Sequence, residues 1–256
     1  MEITVDGLKI NYEFRGEGEE TVVILEGWGT SIPVYDSIAK VLAAKYRVLL
    51  FDLPGFGESD EPKSAWSVDD YVDFLLHFLK ELGVHKVILL GHSYGGRMII
   101  KLAARGQEEV EISRIVLVDS AGVMPKKTLW KRIKQARYKF YKKLAGTRIA
   151  QKICPELIAD WKSRQGSADY RNASPIMKGC LVKAVNEDLT ALFPKVTKDV
   201  LLIWGDKDTA TPLSDAQLME SKMPSAGLAV VEGTGHYCFL EKPQIFQNIL
   251  RAYFEI

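Results

Sequence analysis

Six short runs in this chain, residues 21–25, 47–51, 87–90, 115–118, 200–204 and 228–231, are apolar along almost their whole length. A strand with one wet face alternates polar and apolar residues. A strand apolar on both sides has to be covered on both sides, which is the condition of a parallel sheet held between two layers of helices. Helical patterns fall between these runs, at 34–45, at 68–82 behind the N-cap candidate Ser67, at 94–105 ending at Gly106, and at 243–253. Two further strand-like runs, 3–5 and 8–14, are joined by the hairpin pair Asp6-Gly7. The pattern predicts an α/β fold with a mostly parallel central sheet of about eight strands flanked by helices.

Strand signals stop between residues 123 and 196, where helical patterns run over 128–144, 147–159 and 176–185. We therefore expect a core made of 1–122 and 197–256, interrupted by a helical cap at 123–196. Trp130, Phe140, Tyr141, Trp161, Met177 and Phe193 are the cap residues expected either to line a substrate pocket or to fill the cap's own small core. The first cap helix is basic. From Lys126 to Lys152 there is no acidic residue, and Leu129, Ile133, Phe140 and Leu144 form an apolar stripe. Such a helix suits a solvated face, and it also suits an anionic substrate, an acidic partner or peripheral membrane contact.

The run at 87–90 leads into Gly91-His92-Ser93-Tyr94-Gly95-Gly96, and a helical pattern follows at once. A serine at so sharp a strand-to-helix turn is held in a strained conformation that presents its hydroxyl above the sheet. Ser93 is thus the candidate nucleophile, and a seryl hydroxyl needs a base, an orienting acid and oxyanion donors. Of the four histidines, His77 reads as a helix-face residue, His85 as surface and His92 as structural. His236, in the glycine-bracketed loop Gly233-Thr234-Gly235-His236, remains as the base. The preferred acid is Asp208, just beyond the run at 200–204. Asp206, able to shape that turn through hydrogen bonds, and Asp119, after 115–118, stay open as alternatives.

The chain order Ser93, Asp208, His236 matches that of the α/β-hydrolases, and the sequence resembles that family over nearly its whole length. Leu25-Glu26-Gly27-Trp28-Gly29 is similar to the family's oxyanion loop, and Asp52-Leu53-Pro54-Gly55-Phe56-Gly57-Glu58-Ser59 to the loop after the next strand. Residues 91–96 resemble its elbow, 205–208 its acid turn, and Gly235-His236 with Glu241-Lys242-Pro243 its histidine loop. The resemblance assigns the oxyanion donors to the backbone N–H groups of Trp28 and Tyr94. It also exposes one departure: Glu26 stands where the family usually has histidine. We expect that carboxylate either to pair with Arg97 or to point to solvent.

The expected activity is that of a serine hydrolase acting on an ester or related acyl bond through an acyl-enzyme. Alternatives are a small-molecule receptor that keeps the triad and signals through its cap, or a C–C bond hydrolase or other acyl-transfer enzyme on the same fold. No metal-ligand spacing is visible and no cofactor is expected. With 47% hydrophobic residues the 256-residue chain can bury one sizeable core, and a net charge of +1 argues against nucleic-acid binding. The start lacks signal-peptide character, and no apolar run approaches the roughly 20 residues of a membrane span, so a cytoplasmic location is expected. Cys154, Cys180 and Cys238 are odd in number and lack C-x-x-C spacing, which favours free thiols, with Cys238 in a packing role. The sequence leaves the natural substrate and the oligomeric state open.

Overall fold

The computed structural model describes residues 1–106, 109–124 and 168–256. Its strands are β1 (Glu2–Val5), β2 (Leu8–Arg15), β3 (Thr21–Leu25), β4 (Arg47–Phe51), β5 (Lys86–His92), β6 (Glu111–Val118), β7 (Asp199–Gly205) and β8 (Ala226–Val231). They form one eight-stranded sheet in the order β1-β2-β4-β3-β5-β6-β7-β8. The β1–β2 and β2–β4 pairs are antiparallel and every other neighbouring pair is parallel. This is the mostly parallel α/β sheet that the doubly apolar runs predict.

The helices are α1 (Asp36–Leu42), entered through a 3-10 turn at Ile32–Tyr35, α2 (Val68–Glu81), α3 (Tyr94–Arg105), α4 (Ala168–Asn172), α5 (Pro175–Val185), α6 (Leu213–Lys222), α7 (Cys238–Glu241) and α8 (Pro243–Phe254). The chain groups into two compact units, Met1–Val123 with Pro175–Ile256, and Met124–Ser174. In the second, the described residues include α4. The helix expected at 176–185 is α5 and belongs to the first unit. The patterns at 128–144 and 147–159, the basic stretch 126–152, Cys154, and Trp130, Phe140, Tyr141 and Trp161 lie outside the described residues.

β5 runs through the middle of the sheet between β3 and β6, and every residue from Val87 to His92 is buried. Each large aliphatic side chain there contributes roughly 1.5–3 kcal/mol by leaving water, so the strand is anchored along its length. Its neighbours are in register: Leu25 lies opposite Gly91, and His92 opposite Val118. β6 pairs in turn with β7, Val118 opposite Ile203, although a long stretch of chain separates them. The carboxyl ends of β3, β5, β6 and β7 therefore finish side by side.

α2 begins as expected at Ser67. The Asp70 N–H donates to Ser67 Oγ (3.3 Å) and the Ser67 N–H donates to Asp70 Oδ2 (2.6 Å), a reciprocal capping box. α2 and α3 are cross-linked by Lys101, which is nearly buried and pairs with Asp69 and Glu187, and by Arg105, which reaches Asp69 and Asp73. These ties hold the helix that follows Ser93 against α2 and the Glu187 segment.

Candidate active site

The backbone of Ser93 has φ 50° and ψ −104°, a region that residues with a Cβ seldom occupy. The strain is held from several sides. The Ser93 N–H donates to Val118 O (3.0 Å), and Ser93 O accepts from the Ala121 N–H (2.9 Å). The helix start is packed so closely on β3 that a Cβ at Gly95 would lie 2.1 Å from Leu25 O. Glycine is needed there for the close approach, and the approach keeps the elbow tight.

His236 comes from the loop after β8. Its Nδ1 lies 2.7 Å from Asp208 Oδ2 and its Nε2 lies 2.9 Å from Ser93 Oγ. A carboxylate accepts only, so Nδ1 carries the proton and Nε2 is left to accept from the Ser93 hydroxyl. Asp208 is buried just past β7. Its Oδ1 accepts from the N–H groups of Ala210 (2.7 Å) and Thr211 (3.0 Å), and Oδ2 from the Thr211 hydroxyl (2.6 Å) as well as from His236. Burial alone favours the protonated acid, but the hydrogen bonds from His236 and Thr211 outweigh it and hold the carboxyl below its ordinary value.

The other two acids serve the scaffold. Asp206 accepts from Gly233 N (2.5 Å) and Thr234 N (3.3 Å), bracing the loop that carries His236 rather than closing its own turn. Asp119 is fully buried, with Oδ1 accepting from Gly205 N (2.8 Å) and Oδ2 from Cys238 N (3.3 Å), so it ties β6 to the end of β7 and to α7. Burial pushes it up to about 6. Glu241 adds a further brace, accepting from Gly235 N at 2.9 and 3.0 Å, and Lys242 Nζ donates to Glu232 O (2.6 Å). The sequence carries Glu241-Lys242 as a pattern, and their loop-holding role emerges only from the contacts.

Trp28 and Tyr94 meet edge to face, ring centroids 5.3 Å apart, and Trp28 packs likewise on Phe56 at 4.9 Å. Tyr94 is the first residue of α3, so its N–H has no carbonyl four residues back in that helix. Tyr94 also packs on Tyr71, whose hydroxyl donates to Pro54 O (2.9 Å) and lies 3.8 Å from Met177 Sδ. Met177 is thus buried near this aromatic wall. Phe193 is fully buried, its ring edge 3.6 Å from a Cβ placed at Gly122.

Glu26 takes neither of its expected roles. It is 1% exposed, which removes the solvent alternative. Arg97 is engaged elsewhere, donating to Glu187 O at 2.6 Å, and Glu26 has no cationic partner among the described residues. Glu26 Oε1 accepts from Leu53 N (2.7 Å), and Oε2 lies 3.3 Å from Thr30 Oγ1. Burial, with Asp52 nearby adding repulsion, pushes the carboxyl well above its ordinary value. The neutral acid, not a bare anion, is the form this site favours.

Cys180 and Cys238 are both buried free thiols, and Cys238 belongs to a hydrophobic cluster with Tyr35, Phe239 and Phe246. Among the described residues no three His, Cys, Asp or Glu side chains gather as metal ligands would. Nor is any described helix long and apolar enough to cross a membrane.

A family model described as the alpha/beta hydrolase fold matches residues 20–243, and the chain belongs to that family. A pimeloyl-[acyl-carrier protein] methyl ester esterase of Aeromonas salmonicida is 27% identical over 258 residues, covering 96% of this chain and 99% of the esterase. Among solved structures, the enol-lactonase of Burkholderia xenovorans LB400 superposes with a TM-score of 0.76 at 20% identity, covering 100% of both chains. A meta-cleavage product hydrolase of Pseudomonas fluorescens IP01 gives a TM-score of 0.72 at 23% identity, with 100% of this chain and 97% of that one covered. Hydrolases thus stand among the similar proteins in both sequence and fold.

Proposed function

We propose that the protein is a serine hydrolase that cleaves an ester or related acyl bond through Ser93, His236 and Asp208. The observation that carries this reading is the unbroken hydrogen-bond chain from Ser93 Oγ to His236 to Asp208. Ser93 Oγ attacks the carbonyl carbon while its proton passes to His236 Nε2. Asp208 holds the imidazole tautomer and stabilises the imidazolium. The carbonyl oxygen, now negative, is received by the N–H groups of Trp28 and Tyr94, and loss of one such donor typically costs about 100- to 1,000-fold in turnover. The tetrahedral adduct expels the alkoxide, which takes the proton from His236, and leaves an acyl group on Ser93. Water then gives a proton to His236 and attacks the acyl carbon, and the second adduct expels Ser93 Oγ, which takes the proton back from His236 as the carboxylic acid leaves.

Residues 123–196 are proposed as the cap that selects the acyl group, with Trp130, Phe140, Tyr141, Trp161, Met177 and Phe193 as its contributors. The partner in this reading is a small acyl substrate. A methyl ester, a lactone and a meta-cleavage product form the first substrate panel, since a methyl ester esterase, an enol-lactonase and a meta-cleavage product hydrolase stand among the similar proteins. The deciding experiment is labelling with a fluorophosphonate probe, together with hydrolysis of p-nitrophenyl acetate. Wild type is expected to react in both assays, and Ser93→Ala and His236→Ala to fall to background. Equal labelling of all three proteins would remove the proposed nucleophile and base.

A further inference from the structure

Behind the Ser93–His236 pair lies a second set of buried polar groups that the proton transfers above do not use. The Gly27 N–H donates to Tyr35 Oη (2.7 Å), Tyr35 Oη lies 3.1 Å from His92 Nδ1, and His92 Nε2 lies 2.9 Å from the main-chain oxygen of His236. Tyr35 and His92 are 1% and 0% exposed, so water offers neither a replacement partner. Every donor in this chain can be assigned. A carbonyl oxygen only accepts, so His92 Nε2 carries the proton and donates to His236 O. His92 Nδ1 is then an acceptor, which commits the Tyr35 hydroxyl proton to it and leaves the Tyr35 oxygen to accept from Gly27 N–H and from the Thr30 hydroxyl, 3.0 Å away. Burial pushes His92 down to about 3, consistent with one ring proton only.

The bridge spans three separate pieces of chain: the loop after β3 that carries Trp28, the end of β5 just before Ser93, and the loop that carries His236. The fit leaves no slack. A Cβ at Gly27 would lie 2.6 Å from His92 Nδ1, so the loop backbone rests directly on the imidazole. Tyr35 stacks on Phe239 with centroids 5.6 Å apart and planes 19° apart, which fixes the ring independently of its hydroxyl.

We infer that Tyr35 and His92 are positioning residues, a hydroxyl–imidazole bridge that sets the spacing between the oxyanion loop and the main chain of His236. The inference rests on the triad reading of the site. Since reaction rates respond to misplacements of about 1 Å with losses near 100-fold, a bridge that fixes this spacing acts on turnover rather than on substrate affinity.

Tyr35→Phe removes only the hydroxyl and keeps the stack on Phe239. Measured on p-nitrophenyl acetate, it is expected to lower kcat about 10- to 100-fold with KM within about twofold of wild type. The inhibition constant of phenylboronic acid, which forms a tetrahedral adduct on the serine, should rise by a similar factor. A folded variant whose kcat is unchanged, or whose kcat falls while boronate binding stays the same, overturns the inference. A second readout stands on wild type alone: long-range 15N–1H spectra should show His92 as the Nε2–H tautomer with Nδ1 an acceptor, and the Nδ1–H form would overturn the bridge even if Tyr35→Phe does not fold. Absence of Ser93-dependent turnover in wild type would instead count against the triad reading, which keeps the two failures apart.

Discussion

Two buried carboxyl groups stand at opposite sides of the Ser93 elbow, and the fold treats them in opposite ways. Asp208 receives four donors, from Ala210 N, Thr211 N, Thr211 Oγ1 and His236 Nδ1, and is held ionised. Glu26 has one N–H from Leu53 and a hydroxyl at 3.3 Å, and is driven toward the neutral acid. Burial acts on both in the same direction, so the number and strength of donors decide the charge. A carboxylate in the oxyanion loop looks hostile to a developing anion when read as a charge. Read with its surroundings, it is a hydrogen-bonded strut that burial pushes toward the neutral acid.

The sharpest way to break this contrast is Asp208→Asn, which withdraws the charge and presents an amide to His236 Nδ1. On the triad reading kcat should fall about 10,000-fold through the wrong tautomer, as steady-state kinetics would register. Glu26→Ala comes next. It leaves the buried Leu53 N–H without its acceptor and opens a cavity, so denaturant titration should show a loss of about 1–3 kcal/mol. Thr30→Val keeps the side-chain shape and removes a hydroxyl that lies 3.3 Å from Glu26 Oε2, 2.9 Å from Gly27 O and 3.0 Å from Tyr35 Oη. A loss of about 1 kcal/mol in the same assay is expected.

Glu26→Gln is the mildest change at pH below the carboxyl's ordinary value, where an amide imitates the neutral acid; there the expected shift is below about 1 kcal/mol. Its value lies in the pH series. A carboxyl raised in the folded state stabilises fully below its ordinary value, and that contribution is lost as pH rises toward and through the raised value. Glu26→Gln should therefore gain on wild type as melting is followed upward from the carboxyl's ordinary value. Asp208 works the other way: held low, it contributes above its ordinary value, and the contribution is lost as pH falls through the lowered one. A Glu26→Gln melting curve that runs parallel to wild type at all pH values would end the contrast.

The sheet was readable because its signal is local. Doubly apolar runs mark buried strands whatever their partners, and Ser67 announces α2 from the position just before its first residue. β5 extends to His92, beyond the expected end at Leu90, because glycine and histidine resemble a turn when their neighbouring strands are not yet known. α6 was not predicted: only Ala216 and Met219 of its residues are buried, too thin a stripe for an amphipathic pattern. At the site, Ser93, His236 and Asp208 could be picked out because each sits at a strand end in a turn-rich setting. The state of Glu26 could not, since its strongest donor, Leu53, comes from the next strand's loop, and both expected partners, Arg97 and solvent, were inferred from charge alone. The same holds for Tyr35 and His92, whose bridge joins positions 57 apart in sequence.

β6 and β7 lie in register, Val118 beside Ile203, whatever path the chain follows between them. Extra residues inserted in that gap cost little in closure entropy, because the cost of loop closure grows only slowly with length. The match of these two edges is thus written in the strands themselves, and the number of residues between them is free to change without shifting it.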